Sequence, residues 1–132
     1  MIIAVDASAI LAIYSDEPEA EAFKGRITGA TGSLISPVNY REVTTTVRGR
    51  SGESAVGAVE RLMTALGIVV ALRPVSLEQR RAAVTAAGRF GKGHPAKLNM
   101  GDCFAYALSK ATGAPLLFKG NDLPQTDVSV AL

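Results

Sequence analysis

The sequence predicts an α/β fold in three layers, with helices on both faces of a mainly parallel central sheet. Three observations carry that expectation. Four short apolar runs (Ile2 to Val5, Leu34-Ile35, Ile68 to Leu72 and Pro115 to Phe118) lack the polar alternation of a half-exposed strand. Amphipathic stretches with their own cap signals separate these runs. Two of the runs end in acids: the first meets Asp6 directly, and the last delivers Asn121 and Asp122 to the next loop. Parallel sheets hold ligands outside the carboxyl ends of their strands, so this pattern gathers carboxylates where a site belongs.

Ile2 to Val5 reads as a buried strand, and Ala7 to Tyr14 as a helix. A second helix is expected from near Asp16 to about Ile27, with Pro18 in its first turn and early acids that suit the helix dipole. Thr28 to Ser33 is a loop, and Leu34-Ile35 a short strand. Ser36-Pro37 has the form of a cap and first turn, opening a helix to about Arg50 that Ser51-Gly52 breaks. Glu53 to Leu66 places Val56, Val59, Leu62, Met63 and Leu66 at helical spacing, and Gly67 separates it from the strand Ile68 to Leu72. Ser76-Leu77-Glu78-Gln79 resembles a capping box and opens a helix to about Phe90. After the Gly- and Lys-bearing loop Gly91 to Asn99, Asp102 opens an Ala-rich helix behind Gly101 that stops at Gly113. Pro115 to Phe118 is the next strand, and Val128 to Val130 a small terminal one.

At 132 residues and 48% hydrophobic composition, one domain spanning residues 1–132 with a real core is expected. The longest apolar runs are too short to span a bilayer. No basic segment precedes the first apolar run, so no signal peptide is read and a soluble cytoplasmic protein is expected. The single Cys103 excludes a disulfide framework and a Cys-based zinc site, and the single His94 excludes a His-rich one. No GxGxxG is present, and Gly91-Lys92-Gly93 lacks the Ser or Thr of a phosphate-binding loop. Net charge is +2, yet Asp16, Glu17, Glu19 and Glu21 crowd one segment. Beyond residue 21 fourteen Lys and Arg face seven acids, an excess that suits a polyanionic partner or simply a solvated basic surface.

Taken singly, the acids have plain structural readings. Asp6 and Asp102 read equally as helix caps or first-turn acids. Asp122 reads as a turn residue, Asp127 as a turn or cap residue, and Glu42, well off the apolar side marked by Tyr40, Val43 and Val47, as a solvated Glu. The joint placement of acids along one sheet edge points further. Converging carboxylates repel, no Lys or Arg adjoins Asp6 or Asp102, and a hard divalent cation such as Mg²⁺ or Mn²⁺ answers that need.

The opening VDASAIL, the SPVNYREV helix bearing Glu42, the run GKGHPAKLNMGDCFAYALSKATGAPLLFKGND and Thr126-Asp127 resemble the PIN-domain family, in particular its VapC-type ribonuclease toxins. The resemblance covers essentially the whole chain. It implies a PIN-like α/β/α domain whose acidic pocket binds Mg²⁺ or Mn²⁺ and hydrolyses RNA. Asp6, Glu42, Asp102 and Asp122 match the family's acidic quartet, as both catalytic and metal-holding residues, with Asp127 a lesser candidate for the fourth place. Ser8 and Asn121 match the small polar neighbours of the first and last acids. Ala7 departs from a frequent Thr, and Leu123 from a common Phe. Ser8, Arg41, Lys92, His94, Lys97 and Asn121 are the candidate substrate contacts, with Arg48 and Lys119 as further phosphate candidates. The resemblance also implies a small VapB-like antitoxin, docking on the helices Ala7 to Tyr14, Glu17 to Ile27 and Glu53 to Leu66, and a homodimer. Two other readings stay open at this point: a non-catalytic protein-binding module of the same fold, and a metal-dependent phosphoesterase acting on DNA or nucleotides.

Overall fold

The computed structural model describes residues 1–71 and 76–132. Among these are four strands, β1 (Ile2–Val5), β2 (Gly32–Ile35), β3 (Ile68–Val70) and β4 (Leu116–Leu117). Six α-helices accompany them: α1 (Ala7–Tyr14), α2 (Ala20–Thr28), α3 (Pro37–Ser51), α4 (Glu53–Ala65), α5 (Leu77–Phe90) and α6 (Met100–Thr112). The strands form one sheet in the order β3-β2-β1-β4, every pair parallel. Ile3 lies opposite Ser33, and Val5 opposite Leu117.

Successive strand residues face opposite sides of a sheet, and here the two sides build two cores. Ile3, Val5, Ile35 and Leu117 pack with Ile10, Phe23, Val43, Val47, Val59 and Met63 of α1 to α4. Ala4, Leu34 and Leu116 pack with Ala86, Phe90, Tyr106 and Leu108 of α5 and α6. Burial on both faces explains why the strand sequences carry no polar alternation. The three-layer α/β/α arrangement expected from sequence is the observed one.

Several boundaries differ from expectation for local reasons. Asp16 adopts φ 52°, a left-handed conformation that ends the turn after α1, so α2 begins at Ala20 rather than near Asp16. β2 extends back to Gly32, because Ile2 pairs with it in the β1 register. The strand expected over Pro115 to Phe118 narrows to Leu116–Leu117, and Val128 to Val130 contributes only a parallel bridge between Val130 and Leu116. Leu72, the expected last residue of the third strand, lies outside the described residues; Ala71 is already beyond β3. Gly52 supplies the positive φ of 87° needed to turn directly from α3 into α4.

The chain end runs beside the edge strand β4. The Leu116 amide donates to the Ser129 carbonyl at 2.7 Å, and the Ala131 amide to the Leu116 carbonyl at 2.9 Å. Arg26 Nε in α2 then donates to the Ala131 carbonyl at 2.5 Å. An otherwise open edge is thereby covered. Arg26→Ala is expected to lower unfolding free energy by about 1–2 kcal/mol, read from urea melts, and to speed amide exchange at Leu116 and Ala131. Unchanged exchange at both amides would refute that role. No described helix is long and apolar enough to cross a membrane.

Candidate functional site

Asp6 leaves β1 at its carboxyl end. Its amide donates to the Leu117 carbonyl at 2.9 Å, fixing the residue between β1 and β4. The side chain caps α1, as the structural reading expected: Oδ2 accepts from the Ser8 amide at 3.1 Å and from Ser8 Oγ at 2.5 Å. Ser8 Oγ in turn accepts from the Lys119 amide at 2.9 Å, so the cap also ties the segment after β4 to α1. Only 4% of Asp6 is exposed. Burial pushes its carboxyl up to about 6 against the Ser8 hydrogen bonds, and the charges of Asp102 and Glu42 push the same way.

Asp102 occupies the third position of α6 rather than opening it. Asn99 is the cap, and the two form a reciprocal capping box: the Asp102 amide donates to Asn99 Oδ1 at 2.9 Å, and the Asn99 amide to Asp102 Oδ2 at 3.1 Å. The carboxylate is half-buried and held above its ordinary range by desolvation, with Asp122 repelling it.

Glu42 lies off the apolar side of α3, yet it is not freely solvated. It is half-buried facing the first turn of α6, with Oε2 accepting from Asn39 Nδ2 at 3.2 Å. Desolvation raises its carboxyl, and Asp102 adds to the shift. Asp122 is exposed at the start of a short 3-10 turn (Leu123–Gln125), its carbonyl accepting from the Gln125 amide at 3.1 Å. It therefore combines the turn role with an electrostatic reach to Asp102.

The four acids thus form a connected run of mutual repulsion: Asp6 with Asp102 and Glu42, Glu42 with Asp102, Asp102 with Asp122. Among the described residues no cation offsets the three shifted acids. Lys119 is engaged by Glu17 and Glu19, Arg48 by Glu53 at 2.7 Å, and Lys110 by Asp127 at 3.2 Å. As the side chains stand, no three His, Cys, Asp or Glu groups among the described residues converge at ligand distance around one point. The donor set is nonetheless all hard oxygen, desolvated and lacking a basic partner among the described residues. That chemistry fits a divalent cation that keeps several of its waters between itself and the carboxylates.

Sequence reasoning missed Asn39 and Gly101. Asn39 is fully buried; Nδ2 donates both to Glu42 Oε2 and, at 3.0 Å, to the Gly101 carbonyl, while its Oδ1 is buried without a hydrogen-bond partner. A Cβ added at Gly101 would stand 2.4 Å from Glu42 Oε2. The available signal was the i,i+3 spacing of Asn39 and Glu42 on one helix.

The remaining candidates divide by environment. Arg41 is exposed and lines a groove of about 670 Å³ together with Val38, Glu42, Met100 and Phe104. Lys92 and Lys97 are exposed on the loop before α6, and Asn121 is exposed beside Asp122. His94 Nδ1 accepts from the Ala96 amide at 3.0 Å and the ring meets Phe90 edge-on, which organises that loop. Asp127 accepts from Tyr106 Oη at 2.6 Å; with Lys110 this holds its carboxyl below the usual range and commits it to α6.

A PIN domain family profile matches residues 3–129. The chain is 42% identical over 126 residues to a ribonuclease VapC of Mycolicibacterium smegmatis, covering 95% of this chain and 96% of that protein. It is 40% identical over 129 residues to ribonuclease VapC42 of Mycobacterium tuberculosis, covering 96% and 97%. The crystal structure of Mycobacterium tuberculosis VapC20, a Sarcin-Ricin loop cleaving toxin, superposes with a TM-score of 0.76 at 15% identity, covering 97% of this chain and 96% of that one.

Proposed function

The chain belongs to the PIN-domain family, alongside the VapC ribonucleases, and from that premise we propose that it is a toxin endoribonuclease whose acidic cleft hydrolyses RNA phosphodiester bonds with Mg²⁺ or Mn²⁺. The observation that carries the reading is the set of three carboxylates, Asp6, Glu42 and Asp102, all raised by desolvation at the carboxyl edge of the sheet with no basic partner among the described residues. Asp6 and Asp102 would hold the cation, with Glu42 and Asp122 completing its surroundings directly or through water. When bound, such a cation activates water as a nucleophile and offsets charge growing on the phosphate. The chain's own part is to keep these oxygens aimed and partly dry. The Ser8 bonds orient Asp6, the capping box orients Asp102, and α6 presents its N-terminal turn, whose dipole favours the approaching phosphate. In-line attack leaves 5′-phosphate and 3′-hydroxyl ends.

Residues 1–132 act as one nuclease unit in this reading, in the cytoplasm, restrained by a small VapB-like antitoxin on α1, α2 and α4. A homodimer is part of the same reading, and Met100, 68% exposed at the rim of the groove beside Arg41, is an apolar side chain that a second copy could cover without closing the cleft. The deciding experiment sequences RNA ends from cells expressing the protein or its Asp102→Ala form, together with cleavage by purified protein with and without EDTA. New 5′-phosphate ends that need both Asp102 and a divalent ion are expected; identical ends from the two proteins would refute the reading.

Arg41 lines the groove beside Glu42, and Lys92 and Lys97 stand exposed on the loop before α6; none has a carboxylate partner among the described residues, and the three are proposed as phosphate contacts. With three such contacts, log affinity for single-stranded RNA should fall against log salt with a slope of about −2, roughly 0.7 per contact. Filter binding with Asp6→Asn protein reads this, and each Ala substitution should flatten the slope by about 0.7. A slope near zero would exclude the three residues.

A further inference from the structure

Glu42 is held against the first turn of α6 from two sides. Asn39, three residues earlier on α3, sends its Nδ2 to Glu42 Oε2 at 3.2 Å and to the Gly101 carbonyl at 3.0 Å. One amide group therefore bridges the carboxylate and the backbone beside Asp102. On the other side the carboxylate lies against the bare Cα of Gly101, where a side chain would begin 2.4 Å from Oε2, with Oε1 and Cδ about as close at 3.0 and 2.9 Å. Both details run against ordinary stability. A buried amide that leaves its Oδ1 without a partner is unfavourable, and glycine within a helix is inferior to alanine. A structure keeps two such local penalties at one point when a neighbouring group must be placed there.

We propose that Asn39 and Gly101 form a latch that positions the Glu42 carboxylate for the divalent cation, Asn39 by donating to it and Gly101 by leaving room for it. Neither residue touches substrate or ion; both are positioning residues. The inference rests on the metal-site reading above and adds how one of its acids is set. It also explains why a Glu placed off the apolar side of α3 is kept partly out of water. The space between α3 and α6 is shaped to receive it.

The two halves of the latch have opposite structural consequences, and this makes them testable. Asn39 is fully enclosed, so Asn39→Leu is exposed to loss of folding. Gly101→Ala is not, because the clash falls on the movable end of Glu42 and alanine improves the helix. The experiment is calorimetric titration with Mn²⁺ of wild type, Gly101→Ala, Glu42→Ala and the double variant, with melting temperatures measured alongside. Gly101→Ala is expected to melt at or above wild type while binding Mn²⁺ about 10-fold more weakly, the scale of a lost orienting partner. The double variant should bind no more weakly than Glu42→Ala alone, because the alanine acts only through Glu42. Wild-type affinity in Gly101→Ala, with weakened binding in Glu42→Ala, would overturn the latch and leave the metal site standing. Additive losses in the double variant would also overturn it, since the alanine would then act by another route. Full affinity in Glu42→Ala would overturn the latch while leaving Asp6 and Asp102 as the site, whereas absence of Mn²⁺ uptake by wild type would remove the site reading and the latch with it.

Discussion

Asp6→Asn is expected to yield a protein that melts several degrees higher and cleaves RNA at least about a thousandfold more slowly. The two effects have one source. Asp6 is almost wholly buried, and its carboxyl rises from 3.8 to about 6, so holding it ionised at neutral pH costs the metal-free fold on the order of 3 kcal/mol. Asparagine has the same shape and still accepts from the Ser8 amide, and it is among the best helix caps. The substitution therefore keeps the turn from β1 into α1 while removing the repulsion from Asp102 and Glu42. For a chain of this size each kcal/mol moves the midpoint by about 3–5 °C. Catalysis moves the other way, because charge stabilisation at a metal site is worth several kcal/mol and each tenfold in rate is about 1.4 kcal/mol. Thermal melts in EDTA and single-turnover cleavage in Mg²⁺ measure the pair. Cleavage at the wild-type rate would remove Asp6 from the site, and a lower melting point would contradict its burial penalty.

The metal-free protein should lose stability as pH rises from about 4 to above 6, and a divalent cation should reverse the trend. The sign follows from the direction of the shifts. Asp6, Glu42 and Asp102 all have raised carboxyls, so over this interval the folded chain holds more protons than the unfolded one. Unfolding free energy then falls with pH, and the Asp6 penalty is complete only above about 6. Glu19, Glu53 and Asp127 are shifted downward and act in the opposite sense, losing their contribution as pH falls toward their lowered values; Glu53 and Asp127 are exposed and Glu19 only half-buried, so their weight is small. Maximum stability of the EDTA-treated protein is therefore expected on the acid side of neutrality. With millimolar Mn²⁺ at pH 7.5 the melting temperature should rise, and Asp6→Asn should show a shallower fall with pH, carried by Glu42 and Asp102 alone, and lack most of the rise with metal. A flat profile between pH 4.5 and 7.5 in EDTA would show that the acids are not crowded.

The layers were legible in the sequence because burial on both faces leaves a simple mark, apolar runs without alternation between capped helices. The edges were less so. Nothing local to Glu17-Pro18-Glu19 separates a helix start from a turn, and the left-handed Asp16 that decides it is set by how α1 ends. The short β4 follows from pairing geometry rather than composition, since Phe118 is as apolar as Leu117. At the site, Asp6 and Asp102 stood out because strand ends and helix starts have sequence signatures. Glu42 did not, because a helical wheel separates core from non-core and cannot distinguish water from a second helix. Gly101 was invisible for the same reason, and Asn39 showed only its i,i+3 spacing to Glu42: their meaning lies in the approach of α3 to α6, 62 residues apart at the Asn39 to Gly101 bond.

The strand that leads into Asp6 has β2 and β4 as its neighbours in the sheet, and the Asp6 amide is fastened to Leu117, more than a hundred residues further along the chain. A partly made chain therefore has its first acid before the scaffold that aims it, and Asp102 and Asp122 come later still. In the proposed reading the cleft is therefore a long-range product of the fold, and a chain cut before α6 and β4 should keep Asp6 yet cleave no RNA.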